Sequence, residues 1–498
     1  MEATSQSGER QQRAAAADDR ETGLAGFFRL GERRTSVGTE VRAGLTTFMV
    51  MAYIIFVNPT ILAGGPLAPV DAGGTGLGPP FIPVAVATAL AGGILTIAMG
   101  LATNYPFAMA AGLGLNAVVA FELILTRGLS WQQAMAVIIW EGLIITVLVL
   151  TGLRQAIMEA IPTNLKRAIA VGIGLFILFI GLVNGGFVAR GAEGGPVVAP
   201  GSITNVGTLT FVVGLAIALA LMAMRVRGAL LISIIATTLI AIALNAVVGP
   251  ENSGFAPNTA VLPEQYFFDF SADNFQTIGQ PIAAMLEVWT AAPVLIVALV
   301  IFSLMLSDFF DTMGTVVGVG EQAGLVDESG RLPGVGRVLL VDSLGAVLGG
   351  AFGVSSNTTY IESAAGVSEG GRTGLTAVVV GILFLLAILI APIAGIVPAQ
   401  ATAPALVIVG FLMFTIAREF EWGDIDEMFP VLVTAIVMPL TFTITTGIAA
   451  GFVTYVFLKL VRGRAGEIHP LLWVVAIAFL LFFAVPWLQG LIAPPPAA

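Results

Sequence analysis

The chain has 498 residues, of which 57% are apolar and only 10% charged, with a net charge of −10; soluble domains run nearer 45–50% apolar and about 25% charged. The absence of Cys excludes disulfide scaffolds, Cys-ligated zinc or iron–sulfur centres and thiol catalysis, and a single His, His469, excludes multi-His metal sites. The acidic balance argues against a nucleic-acid partner, leaving a polytopic membrane protein, provided the apolar residues fall into runs of about 20.

They do. Residues 1–41 read as a cytoplasmic tail, polar and disordered at first. Phe27, Phe28 and Leu30 among Arg29, Arg33 and Arg34 suggest a short helix lying at the membrane surface. Apolar segments follow at 42–63, 81–101, 106–124, 131–152, 167–188, 207–225 and 229–249. The connection 250–286 holds no Lys or Arg and is expected outside the cell. A second series runs 291–318, 336–352, 357–370, 373–396, 402–418, 428–442 and 443–462, and a last apolar stretch covers 471–489.

The block 428–462 is too long for one span, and Pro439 with Gly447 supplies a break. Lys and Arg accumulate in cytoplasmic loops. With the N-terminus inside and this block read as two spans, 19 basic residues lie inside and only Arg127 and Arg190 outside. Fourteen spans before Arg464 are therefore expected, seven in 42–249 and seven in 287–464, followed by a hydrophobic C-terminal segment over 465–498. Whether that segment crosses the membrane stays open. Seven spans per unit forces two repeats to be inverted. A faint echo between Asn104–Gly112 and Thr359–Gly366 supports the duplication.

The third and tenth segments are short and interrupted, one by Pro106, Gly112 and Gly114, the other by Gly353, the run Ser355–Thr359 and Gly366. Irregular backbone at membrane depth is tolerated where it is buried in protein or lines a water-filled cavity, and paired broken segments point to a transporter's binding site. The blander reading is glycine-mediated helix packing. Half-helices there would aim free N–H groups at the site.

Carboxylates at membrane depth sharpen this, since a charge there costs at least about 2.5–3.5 kcal/mol and normally faces a cavity. Asp308 and Asp311 sit in the eighth segment, three apart and so on one helix face; Asp311 reads alternatively as a helix cap. Glu362 lies in the tenth segment, and Glu141 in the fourth reads equally as a proton carrier or a protonated packing partner. Asn116 offers a donor and an acceptor, or simply helix-to-helix glue. Apolar surroundings disfavour a charged carboxylate, so proton handling falls to these acids. Paired acids, an amide and backbone N–H groups, flanked by Phe309 and Phe310, suit a planar heterocycle and repel a simple anion.

At these residues the chain resembles the nucleobase–cation symporter-2 family, in its AzgA-like branch of hypoxanthine, adenine and guanine permeases. The likeness runs from about Phe27 to the C-terminus. It rests on Ala43–Phe48 and Ala52–Pro59 in the first span, Gly112–Ala117 in the third, Asp308–Thr315 in the eighth, and Thr359–Gly366 with Gly370–Thr376 in the tenth. The resemblance implies an all-α polytopic membrane protein of 14 transmembrane segments in two inverted seven-helix repeats. Spans 1–4 and 8–11 would form a core domain, and spans 5–7 and 12–14 a gate domain. A purine nucleobase would lie between them, bound by Glu362 and Asp308, supported by Asn116 and completed by backbone at Gly112 and Leu113. Asp311 would join Glu362 in proton coupling. No cofactor is implied beyond a coupling ion, expected to be H+, and a homodimer in the cell membrane is one arrangement the resemblance allows. The family pattern has Pro where this chain has Ala111, bearing on half-helix geometry, and often an aromatic near Val118 or Val119, bearing on purine preference. Rival readings are a same-fold carrier of uracil, xanthine, urate or an anion, or an ion channel, although no charged ring or repeated filter is visible. A membrane enzyme would need a metal cluster or activated nucleophile, and neither is evident.

Overall fold

The computed structural model describes residues 23–492 apart from 65–66, 69, 71–73, 154–159, 192–194, 264 and 328–331, with side chains as far as 484. The polar tail over 1–22, Arg154 and Arg331 lie outside the described residues. Helix α1 (Leu24–Phe28) is the short N-terminal helix expected from the sequence; Phe28 and Leu30 are buried against Leu375, whereas Phe27 is exposed.

The first span is two helices, α2 (Val37–Met51) and α3 (Ile54–Ala63). Ser36 caps α2 by accepting the N–H of Thr39 at 3.3 Å. The chain tightens between them at Ala52 and Tyr53, where the Ile55 N–H donates to the Ala52 carbonyl at 3.1 Å; Pro59 lies inside α3 and has no N–H to give the Ile55 carbonyl. There follow α4 (Phe81–Thr103), strand β1 (Met109–Ala111) and α5 (Leu113–Ala117), which continues as a π-helix over Val118–Thr126. Helix α6 (Trp131–Thr151) opens on a reciprocal Ser130–Gln133 capping box. Helix α7 (Thr163–Asn184) leads to the paired strands β2 (Val188–Arg190) and β3 (Val198–Pro200), then α8 (Val206–Ala223) and α9 (Ala229–Val248).

After the connection come α10 (Val294–Gln322), α11 (Val335–Phe352), strand β4 (Asn357–Thr359), α12 (Ser363–Ser368) and α13 (Gly374–Ala387), which tightens into a 3-10 turn over Ile388–Ile396. Helices α14 (Ala399–Phe414), α15 (Ile425–Thr441), α16 (Ile444–Val461) and α17 (Pro470–Ile492) complete the chain. The protein is thus predominantly helical and polytopic. Among the described residues, eleven helices are long and apolar enough to cross a membrane. Of the fourteen expected segments, the two interrupted ones and the 17-residue α15 fall short of that length.

An all-α reading needs correction at two places, the β2–β3 pair after α7 and the interrupted segments. The third and tenth segments are not helical throughout: β1 and β4 pair antiparallel, with Met109 opposite Thr359 and Ala111 opposite Asn357. Two short extended segments at membrane depth leave unpaired backbone groups, and pairing with each other satisfies them. The sequence echo also shifts meaning. It aligned Tyr105 with Tyr360, yet Tyr105 precedes β1 whereas Tyr360 follows β4, so the echo does not mark equivalent positions.

The helices pack in two sets. In one, α4 lies against α3, α11 and α13, α2 against α12 and α13, and α6 against α10 and α11. In the other, α7 lies against α14, α15 and α16, and α8 and α9 pack on each other and on α14. The connection between the series is strapped to the first set, with Phe268 N–H donating to the Leu389 carbonyl at 2.9 Å and Gly279 N–H to Ala351 at 2.8 Å. The C-terminal apolar stretch is a helix, α17, that rests on α10 and α16, with Phe479 against Phe302 and Phe452.

Candidate functional site

The β1–β4 crossing fixes the ends of both half-helices. Gly112 N–H donates to the Ser356 carbonyl at 2.8 Å, Tyr360 N–H to Ala108 at 2.9 Å, and Ala108 N–H to the Ser363 hydroxyl at 3.0 Å. The Tyr360 hydroxyl donates to the Ala111 carbonyl, so the residue standing where Pro was expected anchors the crossing through its backbone. Beneath the strands sits Asp342 of α11, fully buried. It accepts from the Thr312 hydroxyl at 2.6 Å, the Thr359 N–H at 2.9 Å and the Thr358 hydroxyl at 3.2 Å.

A cavity of about 120 Å³ lies where the two half-helices start. Its polar wall comes from the first helix set and from α5, which packs on α3 and α10 of that set: Tyr53 at the break between α2 and α3, Gly112–Leu115 at the start of α5, Ser307, Asp311 and Thr315 on α10, and Thr359–Glu362 leading into α12. The second set contributes only Ala170, Ile173, Val409 and Met413. Glu362 accepts the Tyr53 hydroxyl at 2.6 Å through Oε1. Asp311 is open to the cavity. Backbone N–H groups of the first turn of α5, from Leu113 to Leu115, face no helical acceptor and line the same space. A flat ring carrying both donors and acceptors matches this wall, with carboxylates taking its N–H groups and the helix start serving its carbonyl or ring nitrogen.

Glu362, Asp311, Gly112 and Leu113 are therefore brought together. Asp308 and Asn116 are not in the lining; both are buried behind it. Residues four apart on α10 explain the split between the acids. Ser307, Asp311 and Thr315 form the cavity stripe, and Asp308 with Thr312 forms the neighbouring one, turned toward Asp342 at its Thr312 end. Neither amide atom of Asn116 has a hydrogen-bond partner among the described residues. Phe309 and Phe310 do not line the cavity, and Val118 and Val119 are buried in the π-helix away from it.

Tyr53 and Asp342 are the residues that reasoning from sequence passed over. Tyr53 stood inside the first-span motif without an assigned role. Asp342 was the one acid in the apolar segment 336–352, the same signal that singled out Glu362.

A family profile of the xanthine/uracil permease type, described as a permease family, matches residues 38–450. The chain belongs to this permease family. It is 40% identical over 459 residues to the guanine/hypoxanthine permease PbuO of Bacillus subtilis, covering 91% of this chain and 99% of the relative. It is 39% identical to the adenine permease AdeP of Escherichia coli, covering 92% and 95% of the two chains. Among solved structures, the transmembrane domain of the cyanobacterial bicarbonate transporter BicA superposes with a TM-score of 0.57 at 16% identity, covering 83% of this chain and 96% of that one. The anion transporter family member SLC26A9 gives 0.51 at 11% identity, over 86% and 65%. These two share the fold. This permease is an integral, multi-pass membrane protein and not an enzyme.

Proposed function

We propose that this permease imports purine nucleobases, hypoxanthine, guanine or adenine, by proton symport through alternating access. The observation that carries the reading is the division of the cavity wall. Every polar group that could hold a base belongs to one helix set or to α5 packed on it, and the other set presents only small and apolar side chains. A base held by the first set slides past the second without breaking hydrogen bonds to it. The names of the relatives supply the cargo.

In this reading the two packed sets are the core and gate domains of fourteen spans in two inverted repeats, 42–249 and 287–464. Antiparallel β1 and β4 support the inversion, because the half-helices they feed leave in opposite directions. The N-terminus is cytoplasmic, since that orientation puts 19 of 21 basic residues inside. Glu362 and the first turn of α5 hold the base, with Gly112 and Leu113 at that turn. Asp311 takes the coupled proton, while Asp308 and Asn116 support the wall from behind. The paired carboxyl groups disfavour an anion at this site, whatever the cargo of proteins sharing the fold.

Uptake of radiolabelled hypoxanthine, adenine and guanine into cells stripped of their own base permeases tests the proposal. Saturable uptake abolished by a protonophore is expected. Absence of uptake refutes the cargo, and uptake indifferent to the protonophore refutes the coupling.

A further inference from the structure

A second cavity lies on the same seam as the first. Its volume is about 350 Å³, against about 120 Å³ for the substrate cavity. Phe121, Leu125 and Thr126 of the π-helix line it, with Ile180 and Asn184 of α7 and Phe442 at the end of α15. The same two elements border both cavities in turn. Leu113–Leu115 and Ile173 face the substrate cavity, and the continuation of each chain faces the second. From Ile173 to Ile180 the helix rises roughly 10 Å. Between those two residues stands Phe176, whose ring lies 6.2 Å from Phe121 and 5.8 Å from Phe442, while Phe121 and Phe442 are themselves 5.8 Å apart. Three phenylalanines thus form a plug on the seam between the cavities. Phe442 holds its place with a left-handed backbone, φ 54° and ψ 26°, which bulky residues rarely adopt and which persists where the surroundings enforce it.

The lining also names the chemistry it takes. It carries no charged side chain, and the nearby Arg127 is already engaged by Glu122 at 2.8 Å, so an ion finds no counter-charge there. Its two polar groups are at hand. The Asn184 amide, half-buried at the end of α7, makes no hydrogen bond to a described residue. It offers two donors and an acceptor to one edge of a ring. The Thr126 hydroxyl donates to the Phe121 carbonyl at 2.7 Å, which leaves its oxygen free to accept. Aromatic faces stack on a flat heterocycle whatever its substituents. A neutral base meets all three features, and the volume exceeds that of the inner cavity.

We propose that this cavity is a second nucleobase site, in which a purine stacks on Phe121 or Phe442 and pairs with the Asn184 amide while it waits outside the plug. In the orientation proposed above, it opens toward the outside of the cell. Occupying it raises the concentration of base at the seam before the plug parts, so its loss weakens KM and spares kcat. This deepens the purine-import reading and rests on it.

Cysteine protection tests the site, because the chain has no Cys of its own. Leu125→Cys is labelled in intact cells by a membrane-impermeant thiosulfonate, with and without hypoxanthine or adenine outside. The variant is made alone, with Glu362→Gln and with Asn184→Leu. Base is expected to slow labelling at least about threefold, equally in the Glu362→Gln background, and not at all with Asn184→Leu. Uptake kinetics supply a second measurement on a chain with Leu125 intact. Asn184→Leu is expected to raise KM at least about fivefold with kcat within about twofold, and Asn184→Gln to recover most of the loss. Protection that vanishes with Glu362→Gln overturns the proposal, since the effect would then come from the inner site. A cysteine that the reagent never reaches overturns it as well, as does an unchanged KM in Asn184→Leu. Wild-type uptake without protection defeats this site alone. Cells that show neither uptake nor protection with any of hypoxanthine, adenine and guanine defeat the cargo assignment, and this site with it.

Discussion

Glu362 meets the cavity with one oxygen already committed to Tyr53 at 2.6 Å. A hydroxyl donating to a carboxylate is worth about 1.5–3 kcal/mol, and here it also fixes the direction of the other oxygen. Tyr53→Phe is expected to raise the KM for base uptake by at least about tenfold while the protein reaches the membrane in normal amount. Glu362→Gln should abolish uptake, because an amide cannot accept from a base with both positions. Kinetics on membrane fractions of known permease content check both. Asn116 presents the reverse situation. Its amide is buried with no partner on either atom among the described residues, a state that costs about 1–3 kcal/mol for each unsatisfied group. Asn116→Leu should therefore raise the thermal midpoint in detergent, while uptake falls because the amide supports the wall behind the base. A variant both less stable and fully active would show that Asn116 is only packing.

At the level of elements, one of the contacts that join the two helix sets beside the cavity is α5 on α7. A Cβ at Gly114 would sit 2.6 Å from a side-chain methyl of Ile173. Gly114→Ala is expected to overpack this contact by roughly 1–3 kcal/mol and depress uptake, and Ile173→Ala should restore it in the double variant. A double-mutant cycle on uptake rates reads the coupling; strict additivity would deny that the contact matters during transport. Broken elements were legible from Pro106, Gly112 and the polar run Ser355–Thr359, since breakers and hydroxyls inside an apolar segment have few other uses. What they pair with was not. Three-residue strands separated by some 250 positions carry no periodicity of their own, so the β1–β4 register and the role of Asp342 beneath it are tertiary facts. The same holds for Tyr53, whose partner lies 309 residues away. Asp308 and Asp311 were legible as intramembrane acids but not as members of different stripes, because three-residue spacing allows a shared face without requiring a shared environment.

Across the whole molecule, the ends of the two sets are tied differently. At the end rich in basic residues, Arg42 of α2 and Arg227 between α8 and α9 both contact Glu369 just past α12, and Lys459 joins Glu427 at 2.9 Å and Glu467 at 2.8 Å. At the opposite end an aromatic cluster closes the seam. Phe121 of the π-helix stands 5.8 Å from Phe442 at the end of α15 and 6.2 Å from Phe176 of α7, ring centre to ring centre. Close by, Glu122 Oε2 accepts the Thr445 N–H at 3.2 Å. The proposed alternating access requires this seam to part once in every cycle. The chain has no Cys, so a pair introduced as Phe121→Cys and Phe442→Cys can be bridged by a short bifunctional thiosulfonate without a background reaction. Bridging is expected to abolish uptake of the base, to leave each single variant transporting, and to be reversed by a reductant. Retained uptake in fully bridged protein would mean that the two sets do not separate here, and the proposed relative motion of core and gate would have to be sought at another seam.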